Sequence, residues 1–322
     1  MNYDVFNGDA DGICALLQLR KAQPLESTLV TGVKRDINLL SRVEAAAGDA
    51  ITVLDVSLDK NRDALVAALD ARASVFYVDH HFPGEIPEHP NLTTIINEAP
   101  DVCTAALVNG HLQGRYAAWA VTGAFGDNLK DTARRLAEPL NLPAGDLASL
   151  EELGTCINYN GYGPSIEDLH FDPQALYLSL YAAEGPLDYV HSSPDFRKLS
   201  DGYREDMALA AEVVPMQQSD HIAVFILPDD AWARRVSGVF SNDLATGHPG
   251  RAHAVLTEKS NGNYLVSVRA PLSDKRGAAE LCMQFPTGGG RAAAAGINDL
   301  ERGSLGAFVD RFAESYGQAR ND

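Results

Sequence analysis

Four short stretches of this sequence concentrate side chains that hold hard metal ions. Asp9-Ala-Asp11-Gly12 sets two carboxylates one residue apart, and Asp55 follows an apolar run. Asp79-His80-His81 adds a carboxylate and two imidazoles, and Gly126-Asp127-Asn128 completes the set. Carboxylates suit Mg²⁺ and Mn²⁺, and an imidazole among them shifts the preference toward Mn²⁺ or another transition metal. Two carboxylates separated by one residue in a turn can reach two adjacent ions, and a shared carboxylate can bridge them, as in two-metal hydrolases. A lone D-x-D or a lone His pair is more often a solvated loop; the joint placement of all four at element ends carries the argument.

The chain between these stretches must bring them together. Tyr3–Phe6, Ser27–Val33, Ile51–Leu54 and Val75–Val78 read as buried strands, and Gly12–Ala22, Asn61–Arg72 and Cys103–Gln113 carry helical periodicity. Such alternation predicts an α/β fold, a mainly parallel sheet with helices on both faces. Ligands of such sheets bind beyond the carboxyl ends of the strands, which is where Asp9, Asp11, Asp55, Asp79, His80 and His81 fall. Residues 1–131 then form the core of a catalytic domain. Residues 132–219 read as a helical connector, hinged at the Asn/Gly/Pro-rich stretch from Asn158 to Pro164. Residues 220–322 read as a smaller α/β domain, with strands at Ile222–Leu227, Ala252–Thr257 and Tyr264–Arg269 and a helix over Gly277–Phe285.

Composition bounds the partners. With 26 Lys+Arg against 44 Asp+Glu the formal charge is −18, and most of the acidic excess lies in the first 187 residues. That excludes a protein that coats nucleic acid through a broad basic surface, and stable binding of long DNA is not expected. Any polyanion must be captured at a small site. No apolar run reaches the roughly 20 residues of a membrane span, and no signal-type segment opens the chain, so a cytoplasmic protein is expected. Cys14, Cys103, Cys156 and Cys282 are scattered singly, which predicts reduced core residues.

In order and spacing, Asn7-Gly-Asp9-Ala-Asp11-Gly12, Val53-Leu-Asp55, Val78-Asp79-His80-His81 and Gly126-Asp127 resemble the DHH phosphoesterases. That family includes RecJ-type exonucleases, oligoribonucleases, cyclic-dinucleotide phosphodiesterases, exopolyphosphatases and manganese pyrophosphatases. Ser267-Val-Arg269 and Gly288-Gly289-Gly290-Arg291 are similar to the DHH-associated C-terminal domain, which binds substrate, and Ile157–Gly161 to an Asn/Gly motif of the exonuclease branch. The resemblance implies two divalent ions, Mn²⁺ before Mg²⁺ or Co²⁺. Asp9 would serve one metal, Asp11, His80 and Asp127 the other, and Asp55 would bridge. Asp79 would orient the imidazoles, and His81 would face the scissile phosphate as hydrogen-bond donor or acid. Many relatives carry His where this chain has Val5, which leaves the first metal poorer in ligands, to be completed by water or by Asn7.

At the substrate end, Gly288–Gly290 followed by an alanine-rich helix would expose backbone N–H groups to an anion. Arg269 and Arg291 offer guanidinium groups for phosphate; Arg291 replaces the His common in relatives. Lys34-Arg35 could address a phosphate but reads better as a solvated basic pair, and Tyr159 and Tyr162 could stack a base but read better as packing for the hinge. The reaction expected is hydrolysis of short single-stranded oligonucleotides or dinucleotides to nucleoside monophosphates. The runner-up is a polyphosphate or pyrophosphate hydrolase, and a weakened phosphate- or nucleotide-binding protein is the third reading. A homodimer is left open.

Overall fold

The apolar runs of the first half become strands because both of their faces are covered. In the computed structural model, which describes residues 1–317, five strands form one sheet: β1 (Asn2–Phe6), β2 (Thr28–Val30), β3 (Ala50–Leu54), β4 (Ser74–Asp79) and β5 (Leu92–Ile96). Their order is β2-β1-β3-β4-β5, and every neighbouring pair is parallel. Side chains alternate across the sheet. On one face Val5, Val53, Val75 and Tyr77 pack with Leu65, Ala68 and Leu69 of α2 (Leu58–Asp70). On the other, Arg20 of α1 (Ala10–Ala22) donates to Thr52 Oγ1 at 3.1 Å. On the same face Phe76 meets His111 of α3 (Thr104–His111) at a ring separation of 5.4 Å. The expected doubly covered parallel sheet is therefore formed, with β5 as an additional edge strand.

Six helices follow: α4 (Ala117–Gly126), α5 (Lys130–Ala137), α6 (Ala144–Asn160), α7 (Pro173–Ala182), α8 (Pro186–Ser192) and α9 (Pro194–Ala211). The chain divides into two units within α9, the first being Met1–Gly202 and the second beginning at Tyr203. In the first unit α4 lies close to both α1 and α6. A Cβ on Gly126 would come 2.2 Å from the Ala10 methyl and 2.7 Å from the Gly154 carbonyl oxygen. Glycine is thus required where α4 hands over to Asp127.

The second unit holds a mixed sheet of β6 (Gln217–Gln218), β7 (Ile222–Leu227), β8 (Ala252–Glu258), β9 (Tyr264–Arg269), β10 (Gly288–Gly290) and β11 (Ala294–Leu300), in the order β10-β11-β9-β8-β7-β6. Helices α10 (Ala231–Gly247), α11 (Ala278–Cys282) and α12 (Leu305–Tyr316) accompany it. Val224, Leu256, Val266, Ile297, Phe308 and Phe312 are part of its core.

Two expectations are corrected here. The helix expected over Gly277–Phe285 is confined to Ala278–Cys282. The alanine-rich tract after Gly288–Gly290 is a strand: β10 and β11 form an antiparallel hairpin, and Ala294–Ile297 pair with Arg269–Val266 of β9. The helix preference of alanine is worth only tenths of a kcal/mol per residue, so sheet pairing and burial of Ala295 and Ile297 override it. The helix N-terminus expected to bind an anion is not formed.

The four cysteines are buried and outside any disulfide, and no helix among the described residues is long and apolar enough to cross a membrane.

His253 on β8 gives the second unit a pH signature. It is fully buried, and neither ring nitrogen has a hydrogen-bond partner. Burial, with the nearby charges of Arg251 and His248, pushes its pKa down to about 4. A folded-state value below the ordinary 6.5 means that its stability contribution is complete above pH 6.5 and is lost as the pH falls toward 4. Thermal unfolding of the second unit is expected to shift to lower temperature across that window, and His253→Leu to flatten the acid limb. An unchanged slope in the variant would refute this role.

Candidate metal centre

The expected ligands converge at the carboxyl ends of β1, β3 and β4. Asp9 follows β1 and caps α1, its Oδ1 accepting the N–H groups of Asp11 and Gly12 at 3.1 and 3.2 Å. The turn is tight: a Cβ on Gly12 would lie 2.3 Å from the Asn7 carbonyl oxygen. Asp11 sits in the first turn of α1, pointing at the start of α3. The N–H of Thr104 donates to its Oδ2 and the N–H of Ala105 to its Oδ1, both at 2.7 Å. Each oxygen keeps a second lone pair for a cation. Asp55 follows β3 with φ of +57°, a left-handed conformation that aspartate tolerates but few other residues do. Its Oδ1 accepts from Thr104 Oγ1 at 3.3 Å.

His80 joins these carboxylates. Its Nδ1 is bonded to the Val102 carbonyl oxygen at 2.8 Å, so Nδ1 carries the proton and Nε2 faces the acids. Nε2 lies 3.8 Å from Asp11 Oδ2, 3.5 Å from Asp55 Oδ1 and 4.0 Å from Asp127 Oδ2. Donors around one ion at bond lengths of about 2.0–2.2 Å stand roughly 3–4 Å apart. Asp11, His80 and Asp127, with Asp55 at the edge, therefore fit a single divalent cation. A second grouping, Asp55, His80 and His81, shares His80. The His81 nitrogen 3.9 Å from Asp55 is the one Asp79 holds, so that grouping is not independent.

Asp79 is fully buried, and its Oδ1 pairs with His81 Nδ1 at 2.7 Å. Of the two imidazoles, Asp79 contacts that of His81, while the Val102 carbonyl contacts His80. His81 is half-exposed, so with Nδ1 turned inward, Nε2 is the nitrogen left for a ligand.

The charge balance is one that a bound cation would relieve. Burial and the Asp11 and Asp9 charges beside it push the Asp55 carboxyl well above the usual carboxylate range. Burial also raises Asp11, against the attraction of His80. Burial disfavours a charged His80, yet Asp55, Asp11 and Asp127 outweigh it and raise His80 to about 10. Crowded buried acids of this kind are relieved by a divalent ion.

Asp9 differs. Burial works to raise it, but the Lys34 ammonium beside it holds its carboxyl below the ordinary value. Lys34 is not the solvated half of a basic pair that its sequence context suggests; it is ion-paired with Asp9 Oδ2 and donates to Asn158 Oδ1 at 3.0 Å. Lys34 and Asn158 are the principal residues whose place beside Asp9 sequence reasoning missed. A signal existed: β2 neighbours β1, so a cation just past β2 falls beside an aspartate just past β1. Thr104 was missed too, because its role comes from its backbone N–H.

Asn7 lies beside this group, its Nδ2 donating to the Lys34 carbonyl oxygen at 3.3 Å and its Oδ1 buried without a partner. Tyr159 packs as expected, its hydroxyl 2.7 Å from His170 Nε2, whereas the Tyr162 ring lies 5.5 Å from the Lys34 ammonium.

In the second unit, Arg269 ends β9, bonded to Asn242 Oδ1 at 2.8 Å and Ser267 Oγ at 3.0 Å. It stands opposite Ala294, whose carbonyl oxygen accepts the Arg291 N–H at 2.9 Å. Arg269, Gly290 and Arg291 thus lie toward one end of that sheet, while Gly289 and Gly288 run back along β10 to the level of Ser267 and Val266.

No protein-family model and no curated protein matches this sequence. Solved structures match its fold. RecJ from Thermus thermophilus in complex with Mn²⁺ has a TM-score of 0.65 at 17% identity, over 96% of this chain and 51% of that one. A manganese-bound exonuclease RecJ has a TM-score of 0.61 at 17% identity, over 96% of this chain and 88% of that one. The pGpG-specific phosphodiesterase PggH from Vibrio cholerae has a TM-score of 0.54 at 15% identity, over 97% of this chain and 99% of that one. The chain spans about half the length of the Thermus RecJ. At these identities the likeness is one of fold.

Proposed function

We propose that the chain is a cytoplasmic, metal-dependent phosphodiesterase of the DHH type that hydrolyses dinucleotides or very short single-stranded oligonucleotides to nucleoside monophosphates. The observation that carries this reading is the convergence of buried Asp11 and His80 with partly exposed Asp127, and Asp55 at their edge, beyond the carboxyl ends of a parallel sheet. Mn²⁺ is the cation that best suits three carboxylates and one imidazole, and it is the ion in two of the similar structures. When bound there, a divalent cation supplies Lewis acidity for activating water and neutralises charge on the phosphoryl oxygens. The chain's own groups do the rest. Asp79 holds His81 through Nδ1; when the ring is doubly protonated its outer N–H can donate to a phosphoryl oxygen or pass its proton to the leaving group.

Two features favour a short nucleotide substrate over polyphosphate. Phe82, directly after His81, is 67% exposed, an aromatic face on which a base can stack. The net charge of −18 repels long polyanions more strongly than short ones. The fold neighbour of almost equal length acts on pGpG, a linear dinucleotide. Arg269 and Arg291 are assigned in this proposal to further anionic contacts.

The test is to incubate purified protein with Mn²⁺ and a linear dinucleotide, a 20-mer or polyphosphate. Monophosphate release from the dinucleotide is expected to be at least tenfold faster than from the 20-mer. Orthophosphate release from polyphosphate alone would sink the proposal.

A further inference from the structure

The two-ion expectation meets an obstacle at its first place, where Asp9 is already matched by a cation from the chain itself. One oxygen of Asp9 caps α1 and the other is paired with the Lys34 ammonium. Three acceptors surround that ammonium: Asp9 Oδ2, Asn158 Oδ1 at 3.0 Å and Asp127 Oδ1 at 4.0 Å. Lys34 is also held at its backbone, its N–H donating to the Gly161 carbonyl oxygen at 2.8 Å and its own carbonyl accepting from Asn7. Gly161 is pressed against Asp9, since a Cβ there would lie 3.3 Å from the Asp9 Cβ. No imidazole compensates, because Val5 is fully buried in the apolar face under α2.

We infer that Lys34 is the resident cation of the first metal place, so that this centre binds one divalent ion per chain and not two. The inference rests on the metal-centre reading above and refines it. An ammonium offers one positive charge and three hydrogen-bond donors, enough to neutralise Asp9 and to bias Asp127. It offers no Lewis acidity, so activation of water falls to the ion held by Asp11, His80 and Asp127. The same placement gives Asn158 a purpose: its side-chain oxygen orients the ammonium from the end of α6. With Lys34 shortened, Asp9 Oδ2 and the unpartnered Asn7 Oδ1 are released to hold a second ion.

Metal counting tests this without reference to activity. The full-length protein is dialysed against Mn²⁺, and bound metal is measured by elemental mass spectrometry, with Mn²⁺ electron paramagnetic resonance titration as a cross-check. The expected count is one per chain for the wild type and for Lys34→Arg, and two for Lys34→Ala, the second ion binding more weakly. Two ions in the wild type would overturn the inference while leaving the metal centre standing. One ion in both the wild type and a folded Lys34→Ala would show that Lys34 is not what excludes the second ion, and would equally overturn it. A count of zero throughout would instead refute the metal-centre reading on which it rests. Circular dichroism establishes that each variant is folded, and the wild-type count decides alone if Lys34→Ala is not.

Discussion

Asp11→Ala is expected to abolish hydrolysis, lowering kcat/KM by a factor of about 10³ or more, which corresponds to at least about 4 kcal/mol of transition-state stabilisation. Asp11 is 1% exposed and is the best-anchored carboxylate of the centre, both oxygens being fixed by backbone N–H groups at the start of α3. It cannot swing aside without giving up both of those hydrogen bonds. The substitution also strands the N–H groups of Thr104 and Ala105, each at a cost of roughly 1–3 kcal/mol. A lower melting temperature should therefore accompany the loss. Asp127→Ala separates the two effects, because Asp127 is partly exposed and its removal should cost activity with little cost in stability. Steady-state assays with Mn²⁺, alongside thermal melts, check both. Unchanged turnover in either folded variant would reject the ligand set.

The largest purely structural effect is expected at Asp4. This residue lies in the middle of β1, is fully buried, and is joined to Arg20 of α1 by two hydrogen bonds, one from Nε at 2.7 Å and one from Nη2. Ser27 Oγ donates to the same carboxylate at 2.6 Å, and Arg20 reaches on to Thr52 of β3. The pair thus ties α1 to the central strands, and α1 carries Asp11. Asp4→Ala leaves a buried guanidinium without its counter-charge, which costs about 3–5 kcal/mol. Replacing both partners, as in Asp4→Leu with Arg20→Met, should recover much of that loss, because the desolvation cost of the charges disappears as well. Denaturant titration measures the difference, and a loss below about 1 kcal/mol in Asp4→Ala would contradict this account of how α1 is docked.

Much of the first unit was legible because a buried parallel strand writes itself as a short apolar run followed by a polar turn. Tyr3–Phe6, Ile51–Leu54 and Val75–Val78 are of that type, and the acidic turns after them hold Asp9, Asp55 and Asp79. β5 was not legible: Leu92-Thr93-Thr94-Ile95-Ile96 is an edge strand whose threonines blur the apolar run. The Gly288–Gly296 hairpin was misread because alanines favour a helix locally, whereas their partners Arg269 and Val268 on β9 lie more than 20 residues earlier in the chain. Lys34 was misread for a related reason. A basic pair after a strand is usually solvated, and its burial here depends on Asn158 and Gly161, well over 100 residues away. Motif spacing can propose which carboxylates meet, but not which side chain from elsewhere has already answered one of them.

The most direct test of the central claim is anomalous diffraction at the manganese edge from crystals equilibrated with Mn²⁺. A peak is predicted among Asp11 Oδ2, His80 Nε2 and Asp127 Oδ2, and it should be lost in Asp11→Ala. No peak at that position, or manganese held only by other residues, would contradict the account.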